Sequence, residues 1–454
     1  MPEKTLEQYG YKQELKRSLG FWNVVVYGLI FTCPMAAMQM FGFVGQYANG
    51  LDSLVYIIGV VGMIFTALSY GKCIQEWPIA GSVFSYVQRS INPHVGFIAG
   101  WLILIDYALI PALVLSIGAV FLNMLIPSVP VWLALLVFVL ADTIINYMGV
   151  EYGAKENMAL FIIQAAGIAA FLITGVIYIA KGGGAGTFNL DPVFQASKFH
   201  IDFIATALSI AVVTLLGFDA MTTLAEETEH PQKLIPPGMI MTLAIIGLLF
   251  VAETYIARLV HPVVQGFDPE TGFVNVIVTA VGGEPLKIYI LITFVLSLAL
   301  GVALNSQLAA SRILYSMGRD KLIPGLFGKV HPKYKTPYVA SIVFGIITFA
   351  IANLIGIEAL AKLVNYGAMT SYMMLNFAVF WFFFIKRNQR GSKDFFNYLL
   401  FPAIGFLVIG YVWYGFDPVT KVVGTLWGIL GIIYGAIKSK GYRKVPEALS
   451  RLEI

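Results

Sequence analysis

Charge is what this sequence has least of. Only 12% of its 454 residues are Asp, Glu, Lys or Arg, while 58% are hydrophobic; a soluble domain carries about 25% charged residues. So small a supply cannot cover the water-facing surface of a chain this long. A soluble enzyme is excluded and a polytopic membrane protein is expected. Cysteine is scarce too, and Cys33 and Cys73 alone make no framework of bridges. The five histidines, His94, His200, His230, His261 and His331, are scattered, with no HExxH and no Cys/His cluster at metal-ligand spacing. There is no phosphate-binding loop, and no room for a nucleotide-hydrolysing domain. Residues 1–20, MPEKTLEQYGYKQELKRSLG, lack the apolar core of a signal peptide and read as a cytoplasmic tail. A formal charge of +4 is too small to imply a polyanionic partner, nucleic acid included.

Long apolar runs are what the chain has instead. About twenty such residues cross the hydrocarbon of a bilayer. Twelve runs qualify, over 21–45, 53–73, 94–123, 130–148, 157–180, 202–227, 238–260, 286–315, 338–356, 361–385, 396–414 and 419–438. All are expected to be helices, because no alternating ten-residue pattern of a membrane barrel is present. With the N-terminus inside, all but six of the 29 Lys and Arg fall on the inner side; the six are Lys181, Lys198, Arg258, Lys287, Lys362 and Lys421. That bias puts both termini in the cytoplasm and supports an even span count. Between spans, 70–93 reads as an amphipathic interfacial helix and 311–337 as a folded basic connector. Outside, 181–188 is a flexible link and 261–285 is long enough for short helices.

Two spans carry breakers at mid-membrane. Span one has Pro34 in FTCPMAAMQMFG, and span six has Gly217 in LLGFDAM. Proline removes a backbone donor and clashes with the preceding turn, and non-helical backbone at that depth survives only where it lines a protein cavity. The two spans occupy matching positions if the chain contains repeats of opposite orientation, which is the sequence mark of a transporter's central site. The expected division is a tail over 1–20, a first repeat over 21–180 and a second over 202–385. Two extra spans over 396–438 and a cytoplasmic tail over 439–454 complete it. Pro111, alone in span three, reads as a kink.

A carboxylate at the bilayer centre costs about 2.5 to 3.5 kcal/mol, so each such acid needs a reason. The candidates are Asp106, Asp142, Asp219 and Glu253. Glu253 is expected to pair with Arg258, and Asp142 to face an interhelical polar contact. At the cytoplasmic end of span six, Glu226 and Glu227 are expected to cap the connector or pair with Arg312 or Arg319. Asp106 is flanked by Trp101 and Tyr107, and Asp219 by Phe218. A carboxylate beside aromatic faces suits an organic cation.

At these residues the chain resembles the amino acid–polyamine–organocation transporter superfamily, and looks especially like bacterial putrescine importers. The likeness covers about Leu15 to Pro446. It is carried by GFDAMTTLAEET with IPPGM, SINPHVGFIAGW, SRILYSMGRDKLIP with HPKYKTP, and NYGAM. It implies an all-α membrane protein of twelve transmembrane helices: a LeuT-type inverted repeat of five plus five, spans one and six broken, and two extra helices. Phe218 then falls at an aromatic gate position, Asp219 where polyamine carriers keep an acid, and Asp106 with Tyr107 at the acid–tyrosine pair of span three. Span one departs from the pattern. Amino acid permeases have a Gly-small-Gly sequence where this chain has Thr32, Cys33 and Pro34, and Pro34 offers no amide to a substrate carboxylate. Putrescine importers have an aspartate where this chain has Gln39. Some proton-coupled carriers have a lysine where it has Gln164.

The function expected is import of a small organic amine, a putrescine-like polyamine or a monoamine, across a bacterial inner membrane by alternating access. Substrate contacts are assigned to Met35, Ala36, Gln39, Asp106, Tyr107, Phe218, Asp219, Thr222 and Asn305. Phe218 and Tyr366 are the gates, with helix breaks at Pro34 and Gly217. The expected partners are an amine or amino acid substrate and the lipid bilayer. No cofactor is called for, and H+ or Na+ is left as coupling ion. An amino acid permease or exchanger of the same fold is the alternative, and a non-transporting sensor or channel a remote one.

Overall fold

A computed structural model describes residues 17–80, 82–149, 154–263, 266–319 and 323–442; most of both expected tails lies outside the described residues. These residues form a bundle of helices. Among them eleven helices are long and apolar enough to cross a membrane, and Tyr338–Leu354 is a shorter apolar twelfth. Each covers one of the apolar runs of the sequence. That agreement has a simple cause: in lipid every backbone polar group must be satisfied within its own segment, so an apolar run has little choice but helix.

Span one is two helices, α1 (Phe21–Thr32) and α2 (Ala36–Ala48). Spans two to five are α3 (Asp52–Glu76), α5 (Pro93–Leu125), α6 (Val131–Met148) and α7 (Ala154–Ala180). Between spans two and three lies α4 (Ser82–Ser90). It is not the interfacial helix expected over 70–93. Residues 70–76 continue α3, and nearly every side chain of α4 is buried against α5 and α13 (Ile357–Val379). Its polar pattern reflects buried serines, Tyr86 and Gln88 rather than a water-facing surface.

Span six begins as α8 (Ile201–Ala211) and continues as 3-10 turns over Val212–Leu215 and Asp219–Leu224. Next come α9 (Pro231–Val260), α10 (Thr279–Leu296), α11 (Leu304–Arg319) and α12 (Tyr338–Leu354), the last leading into α13. The expected short outer helix is present: a π-helical turn at Phe273–Val278 leads into α10, which is kinked where Gly283 has φ 65°. The short α14 (Ser392–Phe395) then leads through another π turn into α15 (Phe401–Tyr414), and α16 (Pro418–Lys438) follows. Helix α5 runs through Pro111 as one helix.

The packing centres on span one. Helix α1 lies against α9, α7 and the turn Asp219–Leu224, while α2 lies against α8. Around them α3 packs on α9 and α5 on α13. Helix α16 is fastened to α5 by a reciprocal pair. The Trp101 indole N–H donates to the Trp427 carbonyl at 3.0 Å, the Trp427 indole to the Trp101 carbonyl at 2.9 Å, and the rings stack at 4.7 Å.

Candidate functional site

Both breaks are local consequences of sequence. Helix α1 ends at Thr32, whose hydroxyl turns back to the Gly28 carbonyl at 2.9 Å. Cys33 takes φ 54°, and Pro34, which has no N–H, cannot continue the ladder. In span six Leu216 is extended and Gly217 has φ 105°, a conformation glycine adopts without steric cost. The two breaks meet. A β-carbon on Gly217 would fall on the ring of Phe31.

Between them lies a narrow, open-mouthed cavity. Span one contributes Phe31, Thr32, Cys33, Ala36, Gln39 and Met40, and span six Val213, Thr214 and Leu216. Apolar side chains of α5, with Leu298 and Val302 from a π-helical stretch over Ser297–Ala303, complete the wall. The side-chain polar groups on it are those of Thr32, Cys33, Gln39 and Thr214. Cys33 and Gln39 belong to a chain of polar contacts: the Gln39 amide lies 4.0 Å from the Cys33 sulfur, which lies 3.5 Å from Gln164 Oε1.

Of the expected site residues, Ala36 and Gln39 line this cavity, and Met35 is fully buried beside it with its methyl toward Gly167 of α7. Asp219 is not on its wall. The carboxylate sits in an adjoining nest of hydroxyls, where Oδ2 accepts from Tyr107 at 2.7 Å, Ser82 at 3.3 Å and Tyr70 at 3.5 Å. Phe31 links the two compartments: it lines the cavity and meets the Tyr107 ring edge to face at 6.3 Å. Phe218 closes the nest against Tyr70 at 6.0 Å and Tyr372 at 5.7 Å. Asp219 is therefore a buried carboxyl group that accepts hydrogen bonds from uncharged hydroxyls of the described residues. Asp106 is also buried, and its Oδ1 has no hydrogen-bond partner among the described residues.

Other assignments need correction. Tyr366 is not beside Phe218: its hydroxyl meets Thr425 at 3.0 Å, and its ring packs on Trp413 and Phe416. The aromatic of α13 that reaches Phe218 is Tyr372, six residues further along. Asn305 bonds Asn157 of α7 at 3.5 Å and is not on the cavity wall. The Thr222 hydroxyl donates to the Asp219 carbonyl at 2.7 Å, so it braces the turn. Asp142 makes no interhelical polar contact; neither carboxylate oxygen has a partner among the described residues. Arg258 does not pair with Glu253. It reaches across to Asp52 at the start of α3 with two hydrogen bonds of 2.7 and 3.0 Å, because a forked guanidinium satisfies a carboxylate bidentately. Sequence reasoning missed Phe31, Tyr70, Ser82 and Tyr372; no local signal marks them among the many aromatic and hydroxyl residues of the chain.

The far side of the nest is closed by polar ties. Glu227 forms an ion pair with Arg312 at 2.5 Å, and Glu226 Oε1 accepts from the Ala80 amide at 3.3 Å. The segment before α1 is strapped on by backbone bonds from Ser18 and Leu19 to the Glu227 carbonyl and from Glu229 to Leu19.

Two interrupted spans facing each other across a cavity, inside a twelve-helix apolar bundle, define a membrane transporter of the broken-helix type. It is a transporter and not an enzyme, and it belongs to the amino acid permease family, whose model matches residues 24–425. Among its curated relatives, the low-affinity putrescine importer PlaP of Escherichia coli is 32% identical over 438 residues, covering 96% of each chain. The branched-chain amino acid permease BcaP of Bacillus subtilis is 27% identical over 467 residues, again covering 96% of each chain. A methylthioribose transporter of the same organism is 25% identical, over 95% of each chain.

Proposed function

We propose that this protein imports a small organic amine, a putrescine-like polyamine or a monoamine, across a bacterial inner membrane. The observation that carries this reading is Asp219, a buried carboxyl group that accepts from the hydroxyls of Tyr107, Ser82 and Tyr70 and forms no ion pair among the described residues. Hydroxyls can hand such an anion to an arriving ammonium group without breaking an ion pair. The amine enters the cavity between the breaks, its body against the apolar walls, and its charge is drawn toward Asp219 past Phe31. Phe218, Tyr70 and Tyr372 form the closed gate. The repeats 21–180 and 202–385 rock against each other to alternate access, with both termini in the cytoplasm. An inward-negative potential favours entry by about 2.3 kcal/mol per charge per 100 mV, and proton coupling adds to it. The likeness to a putrescine importer supports the amine.

One observation favours the second reading, an amino acid permease. The cavity wall is apolar and has Gln39, not a carboxylate, as its longest polar side chain, which suits a neutral solute with an aliphatic body. Uptake of labelled putrescine into liposomes holding only this protein decides. Competition by putrescine and by monoamines is expected. Competition by leucine but not by its decarboxylated amine sinks the amine reading, and no flux of either solute sinks transport.

A further inference from the structure

Glu253 is a carboxyl group for which the import route has no use. It lies in the last third of α9, seven residues before the helix ends at Val260, is 0% exposed, and neither oxygen has a hydrogen-bond partner among the described residues. Among the described residues no free cation faces it. Arg258, the cation on its own helix nearest in sequence, is committed to Asp52 of α3, and it also donates to the His261 and Val263 carbonyls. Of the other segments that pack on α9, α1, α2, residues 157–180 of α7 and the turn Phe273–Val278 carry no charged residue. Helix α3 brings Asp52, already paired, with Lys72 and Glu76 at its opposite end. Asp219 lies in its own nest. Beside it, the Thr254 hydroxyl meets Ser53 of α3 at 3.2 Å and the Phe250 ring packs on Tyr56 of α3 at 5.4 Å, all uncharged groups.

Helix α9 packs on both halves of span one, α1 and α2, so the carboxyl stands on a helix that flanks the break about which span one bends. As an anion it would be unpaired and unsolvated in low dielectric, which the fold gives no means of offsetting. As a neutral acid it is tolerated there. A group that is stable in one place only with its proton, and sits beside the hinge of the moving span, has the properties of a coupling site. We propose that Glu253 is the proton-carrying residue of this transporter: it binds a proton from the side on which the cavity is open, travels neutral through the closed state, and releases the proton once span one has moved and water reaches it. This rests on the reading of the chain as a proton-coupled importer. Asp142 serves as control, because its carboxylate is equally buried and unpartnered but lies on α6 among α5, α11 and α12.

The test uses the full chain in liposomes with the membrane potential clamped at zero. Labelled putrescine is the probe, with leucine in parallel. Wild-type accumulation is expected to rise by about tenfold per unit of inward pH gradient if one proton accompanies each solute. Glu253→Gln should abolish that rise while leaving exchange of internal for external solute within about threefold of wild type. Asp142→Asn should keep the rise. Retention of the pH response by Glu253→Gln overturns the proposal, as does loss of exchange together with accumulation, which marks a structural residue. If Glu253→Gln does not fold, Glu253→Asp decides: the pH midpoint of the response shifts if the carboxyl carries the proton, and an unchanged midpoint overturns it. A wild-type protein that moves solute but ignores the pH gradient overturns proton coupling and this proposal with it, leaving import itself standing; absent flux in the wild type fails import instead.

Discussion

The ring of Phe31, the penultimate residue of α1, occupies the space that a β-carbon on Gly217 would need. The break in span six thus exists partly to admit a side chain from the break in span one. Gly217→Ala has two costs: strain at φ 105°, and collision with a buried ring on the cavity wall. A fall in stability of about 1–3 kcal/mol is expected, together with loss of uptake. Thermal melting in detergent and transport in liposomes check it. An alanine variant with wild-type melting and uptake would remove this contact from the account.

Tyr107 makes the shortest hydrogen bond to Asp219. Hydrogen bonds to charged groups contribute about 1.5–3 kcal/mol, so Tyr107→Phe should lower kcat/KM for an amine roughly 10- to 100-fold. Asp219→Asn should nearly abolish uptake. Equal kinetics for wild type and Tyr107→Phe would take the nest out of the substrate's path.

Gln39 stands on the cavity wall, away from the Asp219 nest. Gln39→Asp places a second carboxylate on the wall, and is expected to improve diamine affinity relative to monoamines. Competition binding against a series of diamines and monoamines measures the ranking, and a shift the other way counts against this cavity.

Arg258 and Asp52 form a buried pair, with Asp52 0% exposed. Arg258→Met strands the carboxylate and should cost about 3–5 kcal/mol. Combining it with Asp52→Leu should recover much of that loss, because the pair is then absent rather than broken. If the double variant melts no higher than the single, the pair is not acting through charge burial.

Glu227 pairs with Arg312 where the nest is closed, with both side chains partly exposed. Glu227→Gln weakens this tie by about 1 kcal/mol or less, so it should change turnover several-fold and leave substrate affinity nearly intact. A pure affinity loss would place Glu227 in the binding site instead.

How much of this was legible in the sequence depended on the reach of each interaction. The apolar runs fixed the spans, since backbone in lipid must bond within its own segment. Pro34 and Gly217 marked both breaks because a missing N–H and a positive φ are properties of single residues. Glu227 and Arg312 could be matched, both lying at the ends of their spans on the same side. The buried partners could not. Asp219 meets Ser82 and Tyr107 across 137 and 112 residues, and Arg258 meets Asp52 across 206. Residue type gave the chemistry of each group but not its address. Tyr366 and Tyr372 share a helix and a side chain, and only the packing of α13 against its neighbours sends one to Thr425 and the other to Phe218. The same is true of Asp219: sequence put a carboxylate at mid-membrane, while tertiary packing set it beside the cavity rather than on its wall, since helices far apart in the chain had to bring Tyr70, Ser82 and Tyr107 to it.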